Sequence, residues 1–130
     1  MPTRPPTPVR VTANFEANLA AVEAYWVAQG APEAHAQLLD ELADTVVANL
    51  EAYPSLGRPF LARRARSLEA IEAARRLQDR LGAGELREYL SGDYLILYAV
   101  IQETVYLLAI KHHKQLSFDL ARLWPPRDEG

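Results

Sequence analysis

Apolar residues recur along this chain in two rhythms, helical in its first half and strand-like in its second. Phe15, Leu19, Val22 and Trp26 are spaced three or four apart, so they share one face of a helix. Thr12 or Asn14 can cap that helix, and Gly30 followed by Pro32 ends it. A second helix is predicted from about Pro32 to about Tyr53, with Leu38, Leu42, Val46, Leu50 and Tyr53 as its apolar stripe and Leu39 and Val47 beside it. The link between the two helices is too short for anything but an antiparallel hairpin. Ahead of them, Val9 to Ala13 alternates well enough for a short strand.

From Leu86 to His113 the pattern changes to three consecutive strands. Asp93 to Ile101 and Thr104 to Ile110 are strand-length runs rich in Ile, Leu, Val and Tyr. Ser91-Gly92-Asp93 supplies a tight turn because glycine tolerates positive φ, and Gln102-Glu103 supplies a second. Both faces of the last two strands are apolar. Leu95, Leu97 and Ala99 alternate with Tyr94, Ile96, Tyr98 and Val100, while Val105, Leu107 and Ala109 alternate with Tyr106, Leu108 and Ile110. A sheet wetted on one side would be polar at every second position. One face is therefore expected under the chain's own helices and the other under a partner.

Between hairpin and sheet, Pro54-Ser55-Leu56-Gly57-Arg58-Pro59 reads as a turn. Leu61 to Ala83 follows, where Leu68, Ile71, Leu77 and Leu81 make a thin helical stripe among arginines and Gly82 and Gly84 stop a third helix. Such a helix can face phosphate or simply be a solvated face with charge pairs. Lys114 to Trp124 can form a last short helix, closed by Pro125 and Pro126.

Composition narrows the class. At 130 residues and 49% hydrophobic the chain is expected to form one domain, residues 9–124, between a flexible arm at 1–8 and a flexible tail at 125–130. It has no cysteine, so disulfides and thiolate metal sites are excluded. No apolar run is long enough for a membrane span and the N-terminus lacks the apolar core of a signal peptide, so a cytoplasmic protein without membrane partners is expected. The net charge of −3 hides an asymmetry, acidic before Gly57 and more basic after it.

No cofactor, metal or nucleotide site is expected. The adjacent His112 and His113 would point to opposite faces of a strand and make a poor chelate. What remains is a cationic and aromatic set at the end of the sheet: Arg58, Arg87, Tyr98, Lys111, His112, His113 and Lys114. It could bind RNA phosphate, with an imidazole moving protons during attack by a ribose 2′-hydroxyl. Equally, the cations could be solvated strand ends, Tyr98 core, and one histidine structural.

The ordered pieces resemble a known family. Phe15 to Trp26 with its helical partner, Pro54-Ser55-Leu56-Gly57-Arg58, Leu86-Arg87-Glu88, Asp93 to Tyr98 and Leu108-Ala109-Ile110-Lys111-His112 are together similar to the RelE/ParE toxin superfamily of bacterial type II toxin-antitoxin systems. The last strand is closer to the ParE branch. The resemblance implies an α+β fold, an N-terminal strand and two-helix hairpin packed on a small, mostly antiparallel sheet, with an extra helix around residues 61–83. It implies a growth-inhibiting, plasmid-stabilising toxin neutralised by a cognate antitoxin, for which Tyr94, Ile96, Leu97, Leu107 and Trp124 are the expected contacts. The ParE branch poisons DNA gyrase and has no known chemistry of its own. There Arg58, Arg87, Lys111 and Lys114 would bind the target.

The RelE branch instead cleaves mRNA on the ribosome. In that alternative His112, His113 and Tyr98 would be catalytic, and the four cations would hold phosphate. RNA-cleaving members often carry an arginine where this chain has Leu95, which cannot stabilise a phosphorane dianion. A degenerate, non-toxic member that only binds a partner is the third possibility.

Overall fold

Thr12 is the residue that turns strand into helix. Its Oγ1 accepts a hydrogen bond from the N–H of Phe15 at 3.3 Å, which satisfies one of the orphan donors at the helix start. In this computed structural model, which describes residues 5–59 and 84–112 together with 75, 76, 79, 80 and 82, β1 spans Val9–Val11 and α1 Ala13–Ala28. The antiparallel partner of α1 is a continuous helical run of three pieces. These are α2 (Pro32–Glu41), a π-helical turn (Leu42–Val46) and α3 (Val47–Ala52).

The π turn follows from the spacing of the apolar stripe. Leu38, Leu42, Val46 and Leu50 are each four residues apart, and on a 3.6-residue helix such a row drifts by about 40° per step. A wider turn takes up the drift, and all four side chains are buried. Tyr53, expected as the last of the stripe, lies past the end of α3 and is 67% exposed, and Leu39 also faces outward.

The sheet has five strands in the order β1-β5-β4-β3-β2, with β2 at Arg58–Pro59, β3 at Glu85–Ser91, β4 at Tyr94–Ile101 and β5 at Thr104–His112. β1 runs parallel to β5 and the other pairs are antiparallel. Gly92 takes positive φ in the first hairpin, and Gln102 and Glu103 both do so in the second, the backbone of a primed turn built without glycine. Within the expected arm, Thr7 is buried and its N–H donates to Glu51 O at 3.0 Å. Of the third helix, Arg75, Arg76, Asp79 and Arg80 are helical and exposed, and Gly82 closes a turn on Asp79 O. The remainder of that stretch, the Lys114–Trp124 helix and the tail lie outside the described residues.

One irregularity decides which side chains face where. Leu97 pairs with Ala109 but Tyr98 pairs with Leu107, so Leu108 is an extra residue in β5, a β-bulge. The simple alternation expected for β5 is therefore wrong beyond Leu108. Ile110, not Ala109, returns to the helix side with Val105 and Leu107, and Ala109 joins Leu108 on the other. Where β1 ends, polar groups of β5 are met from the start of α1. Leu107 O accepts from Thr12 N at 3.1 Å and Thr12 Oγ1 at 2.8 Å, Leu108 O accepts from Asn14 Nδ2 at 2.9 Å, and Asn18 Oδ1 accepts from Ile110 N at 3.0 Å.

The helix-side core joins Phe15, Leu38, Leu42, Val46 and Leu50 to Ile96, Tyr98, Val105, Leu107 and Ile110. Leu86, Leu97, Ala99, Leu108 and Ala109 form a second cluster on the opposite face. These five are buried within the single chain, so the expectation that this face waits for a partner is corrected. At about 1.5–3 kcal/mol per fully buried aliphatic side chain, both clusters serve folding.

Candidate functional site

The cationic and aromatic set expected at one place is divided between two. At one end, Tyr98 lies inside the core with no exposed surface. Its Oη accepts from Gly57 N and donates to Pro54 O, each at 2.8 Å. Burial pushes the phenol above its ordinary value of 10, against smaller opposing effects of the Gly57 N–H and the Arg87 charge. Arg87, the ladder partner of Tyr98, donates from Nη1 to the carbonyls of Gly57 and Ser55. Its Nε and Nη2 form a fork on the Glu85 carboxylate, both at 3.1 Å.

The turn Pro54 to Gly57 is therefore clamped by two side chains. Gly57 is required by the closeness of the clamp: a Cβ there would stand 2.4 Å from Glu88 O and 2.8 Å from the Tyr98 ring and hydroxyl. The Pro-Ser-Leu-Gly-Arg segment is thus a structural latch. Tyr98, catalytic in the ribonuclease alternative, has its side chain inside the core, and the Arg87 guanidinium is hydrogen-bonded to protein oxygens. Arg58 remains half exposed, with Nη2 3.8 Å from Oε2 of the fully buried Glu88 side chain.

His112 sits at the other end of the sheet. It pairs with Tyr94 across the ladder, their rings meeting edge to face with centroids 5.4 Å apart. Tyr98 and Tyr94 are four residues apart on β4, or about 13 Å at strand rise, so Tyr98 and His112 cannot share one scissile phosphate. Lys111 is the ladder partner of Leu95, and alternation assigns both to the face opposite His112. Leu95 is buried there. His113, Lys114 and Trp124 lie outside the described residues. Among the described residues no group of three or more His, Asp or Glu gathers as metal ligands, and no helix is long and apolar enough to cross a membrane.

Around His112 the surface opens into a cleft of about 450 Å³ between α1 and β5, walled by Val22, Tyr25, Trp26, Tyr94, Ile110 and His112. Trp26 Nε1 donates to Tyr94 Oη at 3.0 Å, and the Tyr25 and Trp26 rings stand edge to face at 4.9 Å. The bulge at Leu108 is what puts His112 into this cleft, because without it the strand would present Lys111 on this side. Of the expected antitoxin contacts among the described residues, Ile96, Leu97 and Leu107 are fully buried core residues and Tyr94 reaches this surface. Val22 and Trp26 read from the sequence only as core positions. Asn14 and Asn18, one turn apart on the sheet side of α1, were the available sign that a broken ladder lay beneath it.

Residues 9–117 match the family described as ParE toxin of type II toxin-antitoxin system, parDE. No curated protein sequence matches the chain.

Proposed function

We propose that this chain, which belongs to the ParE family of type II toxin-antitoxin toxins, arrests growth by poisoning DNA gyrase and acts without chemistry of its own. A cognate antitoxin would neutralise it. The observation that carries the reading is the fate of Tyr98 and Arg87, whose polar atoms are spent on the Pro54 to Gly57 turn. With Leu95 buried and His112 at the far end of the strand, the groups an RNA-cleaving site would gather around one phosphate are spread over two ends and two faces of the sheet.

The experiment is a supercoiling assay with purified gyrase and toxin, run beside a cell-free translation reaction. Inhibited supercoiling at toxin concentrations that leave translation and its mRNA intact is the expected outcome. Normal supercoiling at high toxin excess would refute the gyrase target, and cut mRNA would move the protein to the ribonuclease branch.

A further inference from the structure

We infer that the outer side of the Pro54 to Gly57 latch is the patch that docks on gyrase, with Tyr53 and Leu56 entering an apolar recess of that protein and Arg58 meeting a carboxylate beside it. The inference rests on the gyrase reading and adds the surface that makes the contact.

The turn is held more firmly than a link between a helix and an edge strand requires. Tyr98 and Arg87 hold its backbone from within, and Gly57 leaves no room for a side chain. Leu56 N donates to Tyr53 O at 3.0 Å, closing a turn in which Pro54 takes the second position, where its fixed φ fits. On this clamped frame stand two large apolar side chains, Tyr53 at 67% exposure and Leu56 at 51%. Single apolar residues on a surface need no explanation, but two on one rigid turn form a patch. In the register of β2 on β3, Leu56 falls across from Leu90, a third exposed large apolar residue. A frame fixed before binding keeps the ordering cost of docking low.

Arg58 sets the chemistry of the partner. Its ladder partner is Glu88, whose fully buried carboxylate lies 3.8 Å from Arg58 Nη2, while the Arg58 side chain is 52% exposed. That buried charge steers the guanidinium, yet at this distance it leaves the N–H fork open to an acceptor from outside. A tyrosine and an arginine on one patch are the residue types that most often carry binding energy in protein interfaces. A phosphate backbone is the wrong occupant. The helical hairpin that leads into the turn carries acidic residues from Glu16 to Glu51 and no lysine or arginine, so a polyanion would be repelled beside the patch.

Purified toxin variants would be titrated in the gyrase supercoiling assay, with thermal melting as the control for folding and calorimetry against the antitoxin that rescues growth on co-expression. Leu56→Glu sets a like charge against the partner's carboxylate and is expected to raise the half-inhibitory toxin concentration about tenfold. Leu56→Lys is expected to raise it less, and Tyr53→Ala several-fold. Leu39→Glu, at an exposed position on α2, is expected to leave it unchanged. All four should melt near the parent, because each replaced side chain is exposed. Unchanged inhibition by Leu56→Glu and Tyr53→Ala would overturn the patch, and so would an equal loss in Leu39→Glu. Equal losses for Glu and Lys at position 56 would overturn the carboxylate. Weaker antitoxin binding with gyrase inhibition intact would give the patch to the antitoxin and overturn the inference. A wild-type chain that leaves supercoiling untouched would bring down the gyrase reading itself, a result distinct from all of these.

Discussion

Tyr94 and Tyr98 lie on the same strand and the same face of it, yet one is spent and the other is available. Tyr98 is buried under the helices, with its hydroxyl filled on both sides by the backbone of the Pro54 to Gly57 turn. Tyr94, at the open end of the sheet, is half buried, touches His112 and accepts one hydrogen bond from Trp26. Burial and hydrogen-bond saturation, not residue type, separate a structural tyrosine from one that can meet a partner.

If that division is right, damage inside the latch should cost far more stability than damage at the cleft. The largest expected effect is at Gly57. In Gly57→Ala the new methyl would have to push a backbone carbonyl and the Tyr98 ring apart, and a loss of about 3 kcal/mol is expected in urea unfolding. A stability near that of the parent would mean that the turn is not held as tightly as described.

Next is Tyr98→Phe, which takes the hydroxyl partner from the Gly57 N–H and the Pro54 carbonyl, two part-buried groups, and should cost about 1–2 kcal/mol. It also carries a signature in pH. Because burial raises the phenol above 10, the folded protein keeps this proton where the unfolded chain has begun to lose it, so this group's contribution to stability falls as pH rises past about 10. The phenylalanine variant lacks that loss, so the stability gap between parent and variant should narrow on the alkaline side. A gap constant from pH 7 to beyond 10 would show that the hydroxyl is not the buried group described. The smallest effect is expected for Tyr94→Phe, about 0.5–1 kcal/mol, since it removes one hydrogen bond at a partly exposed site.

Much of the architecture was legible from the chain. The hairpin, the meander and the joining of Val9–Val11 to the sheet follow from periodicity, caps and turn residues, and the π turn was implicit in a stripe that repeats every four residues. The bulge was not legible because Leu107 to Ile110 is apolar throughout, and an apolar run carries no mark of a slipped alternation. That blind spot misassigned Ala109 and Ile110, and it hid the reason His112 faces α1. The division of the site was hidden for another reason. A tyrosine or arginine reads alike in sequence whether its polar atoms meet solvent or a turn more than thirty residues away, as those of Tyr98 and Arg87 do. Burial of Ile96, Leu97 and Leu107 likewise depends on layers that strand alternation alone does not count.

The most direct test of the account is induction of this protein alone in a bacterial host, with DNA and protein synthesis followed separately by pulse labelling. A toxin whose ribonuclease-like residues are committed to a structural latch should depress DNA synthesis first, with DNA-damage signalling, while mRNA stays whole. An early fall in protein synthesis accompanied by cleaved mRNA would contradict it.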